Sequence, residues 1–460
     1  MKLSDLFKPV DMTTGTPVKQ IVVFTLPMLL GNIAQQLYNT VDSIIVGRFV
    51  GDNALAAVGS AGPLVNLMLV LFIGISVGAS IMVSQFFGAR KRDDLSRCIA
   101  CCITLTGIAS LFIMVVGPII SLPLLRLLGT PESIIYWCRN YLIILFLGMG
   151  GIGFYNILSG ILRGLGDSVS PLIYLLIATL LNIVLDYTFV AHLGLGVPGV
   201  ALATIIAQFL SAGLCMWKLS RMSDVFDLKK EYLRPEKRYA MGLVKLGLPS
   251  GITQAIMSMS MIVVQSLTNS FGEQFIAANV IVMRIDGFVM LPAFSFGSAM
   301  TTYAGQNIGA GRMDRVTKGA REGTLVAMGV SAILTVLILL FGRHLMGIFT
   351  STKELIDLSY HMMQILSVGY IAMEVTQCLS GIMRGAGDTV TPMWISICSS
   401  IALRIPMAYL FVHLTKTPEL PQGNCAMMFV SLVCTWCIGA TVTFLVYMRG
   451  GWKNKSIVGG

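Results

Sequence analysis

Four acidic side chains fall well inside apolar stretches of the sequence: Asp42, Asp186, Asp286 and Glu374. An ionisable group in such a stretch costs at least ~2.5–3.5 kcal/mol on insertion scales, so each is a candidate for chemistry. Asn32, Gln35, Asn39 and Asp42 recur at i, i+3, i+7 and i+10, with Tyr38 beside them, which puts them on one face of a helix. Asn182 and Asp186 stand at i and i+4, again one face. Two carboxyls with amide company can converge there, out of bulk water, and such a pair can take up and release a proton. A hydrogen-bond cluster that only holds helices together is the rival reading. Arg284, Asp286, Glu374 and Arg404 form a second set. Two bases and two acids can neutralise one another as buried ion pairs. Glu374, if it faces a cavity, would instead hold a cation.

The elements that carry these residues follow from composition. Of 460 residues, 55% are hydrophobic and 12% charged, about half the ~25% charged share of a soluble domain. Mean hydropathy is +0.81. A soluble globule, a disordered chain, a collagen and a disulfide scaffold are all excluded. Ten cysteines lie almost all in apolar stretches, where Cys acts as a small hydrophobe. The C-x-x-C spacings at Cys98/Cys101 and Cys434/Cys437 lack the second ligand pair that a zinc site needs. His192, His344, His361 and His413 have no metal spacing, so no metal or cofactor is expected. The segment Met1–Lys19 is polar and mixed in charge, unlike a signal peptide. A net charge of +10 comes without aromatics interleaved in a basic patch, so no nucleic-acid partner is expected.

Twelve apolar segments long enough to cross a bilayer run over about 18–46, 54–86, 96–122, 134–161, 170–191, 196–219, 243–269, 275–304, 319–342, 355–383, 391–413 and 424–448. The expected fold is an all-α polytopic membrane protein with two six-helix bundles. Residues 1–220 form the first lobe, 221–242 a cytoplasmic linker, 243–450 the second lobe and 451–460 a cytoplasmic tail. With both termini inside, 24 of the 32 Lys and Arg residues fall on the cytoplasmic side, as the positive-inside rule requires.

One internal repeat fixes the organisation. Leu158-Ser-Gly-Ile-Leu-Arg163-Gly-Leu-Gly-Asp167-Ser-Val-Ser-Pro171 returns as Leu379-Ser-Gly-Ile-Met-Arg384-Gly-Ala-Gly-Asp388-Thr-Val-Thr-Pro392, at an offset of 221. Within each block, Gly permits the turn, Pro opens the next helix, and Arg and Asp are placed to pair. Duplicated lobes that rock around one cavity are the usual physical use of such a repeat, which favours transport over a passive scaffold. The offset carries Asp42, Asn182 and Asp186 onto Val263, Leu403 and Met407. The second lobe therefore lacks the carboxyl cluster, and that asymmetry favours a functional cluster over an architectural one. No G-x-x-x-x-G-K-[ST] loop occurs, so ATP-driven pumping by this chain is not indicated. Many methionines sit in spans, Met257, Met259 and Met261 among them; they fill core space, and in a cavity they adapt to varied apolar ligands.

The stretch Pro27 to Gly51, with Gln36-Leu-Tyr38-Asn-Thr-Val-Asp42-Ser-Ile-Ile-Val-Gly47-Arg-Phe-Val-Gly51, then Ala54-Leu-Ala-Ala-Val-Gly59, and both L-S-G-I-x-R-G-x-G-D blocks resemble the multidrug and toxic compound extrusion (MATE) transporters. The resemblance covers nearly the whole chain and is closest to the DinF-like branch. It implies twelve helices in two bundles around a V-shaped cavity, and export of organic cations and amphiphilic drugs in exchange for H⁺ or Na⁺. It also implies a proton site at Asp42, Asn182 and Asp186; a proton there is expected to bias the first helix, hinged at Pro27, toward one conformation. The chain departs from the family where a seventh-helix acid would fall, near Met257, which puts sodium coupling through the second lobe in doubt. Glu374 matches the family's tenth-helix acid approximately.

The expectation is a proton-coupled multidrug antiporter, monomeric, multi-pass in the plasma (inner) membrane, with drug-like small molecules and membrane lipids as partners. A lipid-linked saccharide flippase of related architecture is a rival, although it would prefer two further helices and more cations along its cavity. An integral-membrane enzyme would need a catalytic pair at the bilayer surface, where only scattered acids such as Asp93 and Asp94 are available.

Overall fold

The structure, a computed structural model, describes residues 10–418 and 420–458. The first nine residues of the N-terminal segment and the last two of the tail lie outside them. In chain order the α-helices are α1 (Pro17–Phe49), α2 (Asp52–Gly88), α3 (Arg92–Leu127), α4 (Glu132–Leu147), α5 (Met149–Gly164), α6 (Val169–Asp186), α7 (Gly196–Ser220) and α8 (Lys237–Asn269). They continue with α9 (Glu273–Val289), α10 (Leu291–Gly309), α11 (Met313–Gly347), α12 (Lys353–Gly385), α13 (Val390–Ile397), α14 (Arg404–Leu414) and α15 (Ala426–Arg449). Eleven helical segments are long and apolar enough to cross a membrane, and α4 with α5, bent by 52°, makes the twelfth. Large apolar side chains point outward as well as inward, for example Phe112 at 65%, Ile119 at 71% and Leu340 at 68% exposure. Helices apolar all round belong in lipid.

The twelve expected spans are all present, yet several are interrupted in ways that hydropathy does not register. The fourth breaks at Gly148 between α4 and α5, and the eighth between α9 and α10 ahead of Pro292. The fifth continues past Asp186 as a π-helical turn over Tyr187–His192, and the eleventh contains one over Cys398–Leu403. Single π turns inside helices free a carbonyl for other partners. In the eleventh span, Ser260 Oγ donates to the freed Ser400 carbonyl at 2.6 Å.

The chain divides into two compact units. One holds residues 1–11 and 26–251, the other 12–25 and 252–460. The boundaries therefore fall inside α1, between Thr25 and Leu26, and inside α8, between Gly251 and Ile252. In the first unit α2 packs on α5, α5 on α7 and α6 on α7, around a core that includes Phe72, Ile113, Leu142 and Phe146. In the second, α12 is central and packs on α10, α11 and α15, with Ile285, Met363, Tyr370 and Phe429 in the core.

The repeat is visible as geometry. In the first unit a Cβ on Gly160 would stand 2.8 Å from the Ser76 carbonyl oxygen, and one on Gly164 2.8 Å from that of Ser80. At the same offset, Gly381 and Gly385 meet the carbonyls of Gly297 and Thr301, closer still. Backbone touches backbone in both lobes, as small residues at membrane helix crossings permit. A second such crossing lies in the first unit, where Gly74 and Gly78 of α2 face Gly247 and Gly251 of α8. A Cβ on Gly74 would lie 2.7 Å from the Gly247 carbonyl oxygen.

The turn blocks carry one correction. Gly166 and Gly387 do adopt positive φ, 91° and 97°. Arg163 and Asp167, however, do not pair. Asp167 accepts from the Ser170 N–H at 2.9 Å and from its hydroxyl at 2.6 Å, and Asp388 accepts from the Thr391 N–H at 3.2 Å and hydroxyl at 2.7 Å. The first N–H groups of a helix have no partner within it, and a carboxylate there satisfies one and complements the dipole. That demand outweighs a link to arginine. The cation nearest Asp167 is Lys218, at 3.8 Å.

Candidate functional site

The last third of α1, the end of α6 and the first half of α7 bring the predicted cluster together. Asn182 and Asp186 are completely buried and Tyr38 nearly so. With the Asn182 amide oriented so that its nitrogen faces the acids, Nδ2 lies 2.9 Å from Asp42 Oδ1 and 3.2 Å from Asp186 Oδ2. Its oxygen then accepts from the Thr204 N–H at 3.3 Å. The carboxyls of Asp42 and Asp186 come within hydrogen-bonding reach of each other. An ionised carboxylate has no hydrogen to donate, so a bond between them needs one proton on the pair. The other oxygen of Asp186, Oδ1, is buried with no hydrogen-bond partner among the described residues.

Tyr38 donates to Thr204 Oγ1 at 3.2 Å, so one residue of α7 holds both the amide and the phenol. Tyr141 of α4, half-buried, lies near both carboxyls. Thr204 and Tyr141 were not singled out in the sequence. Each is one residue among many on its helix, and only the crossing of α1, α4, α6 and α7 selects it. The site is a pair of carboxyls bridged by an amide that is itself fixed from the backbone.

The polar stripe of α1 divides. Asn32 and Gln35 line a cavity of about 290 Å³ together with Pro27, Tyr155, Asn156, Ser159 and Arg163. Tyr38 belongs to the carboxyl cluster, and Asn39 is exposed. Arg163 Nη2 reaches Ser76 Oγ at 3.5 Å. Pro27 sits inside α1, one residue past the division between units.

In the second unit the four charges do not gather. Asp286 accepts a hydrogen bond from Tyr370 Oη at 2.9 Å and shares a small cavity of about 90 Å³ with Arg404, Asn279 and Gln265. Arg284, two residues along the same helix, is turned to the exposed face. Glu374 is 2% exposed, and its Oε2 has no hydrogen-bond partner among the described residues. No ion pair within 4 Å joins any two of these four among the described residues; Asp286 and Arg404 face one another across their shared cavity instead of in direct contact. The phenol of Tyr370 is the direct hydrogen-bond partner of Asp286.

The chain matches the MatE family model twice, over residues 27–188 and again over 249–410. It is 31% identical over 448 residues to the probable multidrug resistance protein YoeA of Bacillus subtilis, covering 95% of each chain. It is also 31% identical over 455 residues to the probable multidrug resistance protein YpnP of the same organism, covering 98% of this chain and 99% of that one. Among solved structures, an outward-facing multidrug resistance MATE family transporter of the MOP superfamily superposes with a TM-score of 0.90. Identity there is 25%, over 98% of this chain and 99% of that one.

Proposed function

The chain belongs to the MATE family of transporters, and from that premise we propose that it is a multidrug efflux antiporter that exports amphiphilic organic cations in exchange for protons. The observation that supports the proton is the Asp42–Asn182–Asp186 cluster, in which one amide nitrogen lies within hydrogen-bond distance of both carboxyls. The arrangement is the one implied by resemblance to the DinF-like branch. The relatives named for multidrug resistance support drug-like substrates.

The mechanism follows from charge. With one proton on the pair, Asp42 and Asp186 attract each other and α1 is held to α6. Without it, two carboxylates repel, and Asn182 Nδ2 alone bridges them. Proton and cationic substrate then compete for the same negative charge, and coupling arises because each favours a different conformation of α1. The proline inside α1 lowers the cost of that change by removing one backbone hydrogen bond. On this reading the two lobes alternate access, and the protein works as a monomer in the plasma membrane with its termini and linker in the cytoplasm.

The test is efflux of a fluorescent cation from proteoliposomes under an imposed pH gradient, then under a sodium gradient, with membrane potential matched. Export driven by the pH gradient and lost in Asp42→Asn supports the reading. Export driven by sodium alone, or unchanged in Asp42→Asn, rejects it and makes Glu374 the residue to alter next.

A further inference from the structure

The linker between α7 and α8 is strapped to α3 by its own acidic and polar groups. Asp227 pairs with Arg92 at 3.0 Å and Glu236 with Arg97. Tyr232 Oη donates to Asp93 at 2.9 Å, and Thr104 Oγ1 donates to the Leu233 carbonyl at 2.9 Å. Two of the linker's carboxylates are thus spent inward. Arg238 reaches Asp94 of α3 at 4.0 Å, while the remaining cations of the linker are open to the outside. Lys229, Lys230, Arg234 and Lys237 are exposed. Lys230, Arg234 and Lys237 make no ion pair within 4 Å among the described residues, and Lys229 lies 5.6 Å over the Tyr232 ring. Exposed apolar groups alternate with them: Leu228, Leu233, Met241, and Trp217 with Arg221 stacked on it at 4.9 Å. Asp224 and Glu231 add exposed negative charge to the strip, and Glu236, though paired with Arg97, is exposed as well.

The depth of this strip is set by α3. Thr104 lies seven residues beyond Arg97, the last charged residue of that helix before Arg126, or about 10 Å of helix rise. The Leu233 carbonyl is held at that level, which would bring the turn Lys230–Leu233 near the boundary of headgroups and acyl chains. Leu228 and Leu233 suit the acyl side, while lysine and arginine stems are long enough to lift their charges to the phosphates.

We propose that Lys229, Lys230, Arg234 and Lys237 form a binding surface for anionic phospholipid headgroups of the adjoining leaflet. Each cation at such a surface changes the affinity by about fivefold. The test uses the full chain in nanodiscs of phosphatidylcholine alone or mixed with phosphatidylglycerol, with retained lipid counted by native mass spectrometry. The parent retains phosphatidylglycerol in preference to phosphatidylcholine. Lys230→Gln/Arg234→Gln lowers that preference by about fivefold or more, and Lys229→Gln/Lys237→Gln does the same through separate side chains, should the first pair fail to fold. Lys353→Gln/Lys416→Gln, with the same change in charge elsewhere, leaves it as it was. Equal retention of both lipids by the parent, or an equal fall in strip and control variants, overturns the proposal.

Discussion

The two lobes share a backbone plan and differ in where they put charge. The helix crossings at Gly160/Gly164 and Gly381/Gly385 coincide at the repeat offset, as do the capped turns at Asp167 and Asp388. The carboxyl cluster has no such copy: Val263, Leu403 and Met407 stand at the offset positions. The second lobe keeps a lone buried acid, Glu374, and an acid held by a phenol, Asp286. Duplication has preserved whatever close packing and helix starts demand, and released whatever only one copy must do.

The sharpest way to break this comparison is to remove a carboxyl from one lobe only. Asp42→Asn is expected to reduce export driven by a pH gradient by about 5–150-fold, the usual range of a coupling energy, whereas Val263→Ala at the offset position leaves it unchanged. Flux in matched proteoliposomes measures both, and Glu374→Gln belongs in the same series as a variant expected to keep its pH-driven transport. Next in size are the shared crossings. Gly160→Ala and Gly381→Ala each force a methyl into backbone and should cost about 1–3 kcal/mol, read as similar falls in thermal midpoint. If one lobe tolerates the change, the packing is not duplicated. The turn caps come third: Asp167→Ala and Asp388→Ala are each expected to cost about 1 kcal/mol, again alike, by thermal unfolding in detergent.

The smallest effect belongs to the first unit alone. The hydrogen bonds from Arg92 hold the Asp227 carboxyl below its ordinary range. A carboxyl depressed in the folded state contributes above its unfolded pKa of ~3.9, and the contribution is lost as pH falls through the lower folded value. Cleavage of the linker by an acid-tolerant protease should therefore accelerate only below about pH 4, and Asp227→Asn should remove that step.

Much of this was legible in the sequence, for identifiable reasons. Spans show because lipid imposes length and hydropathy on each segment separately, and the repeat shows because turns need glycine and proline at fixed positions. Asp42, Asn182 and Asp186 stood out because each is costly where it lies. Thr204, Tyr141 and the Gly74/Gly247 crossing did not, since what matters about them is a partner on another helix. The anticipated Arg163–Asp167 pair failed for a related reason. Opposite charges four residues apart suggest a bond, but the unpaired N–H groups of the next helix start had the stronger claim on the carboxylate.

The division of α1 and α8 between units also dictates an order of synthesis. Met12 donates to Gln306 Oε1 at 2.9 Å, and Arg315 Nη1 grips the Gly15 carbonyl, so the start of α1 cannot settle until nearly 300 further residues exist. At ribosomal speed that wait is on the order of 15–60 s. The first unit must wait likewise for Gly247 to seat on Gly74. Neither lobe can finish before the other has begun, and a ribosome that stalls at the linker leaves both incomplete.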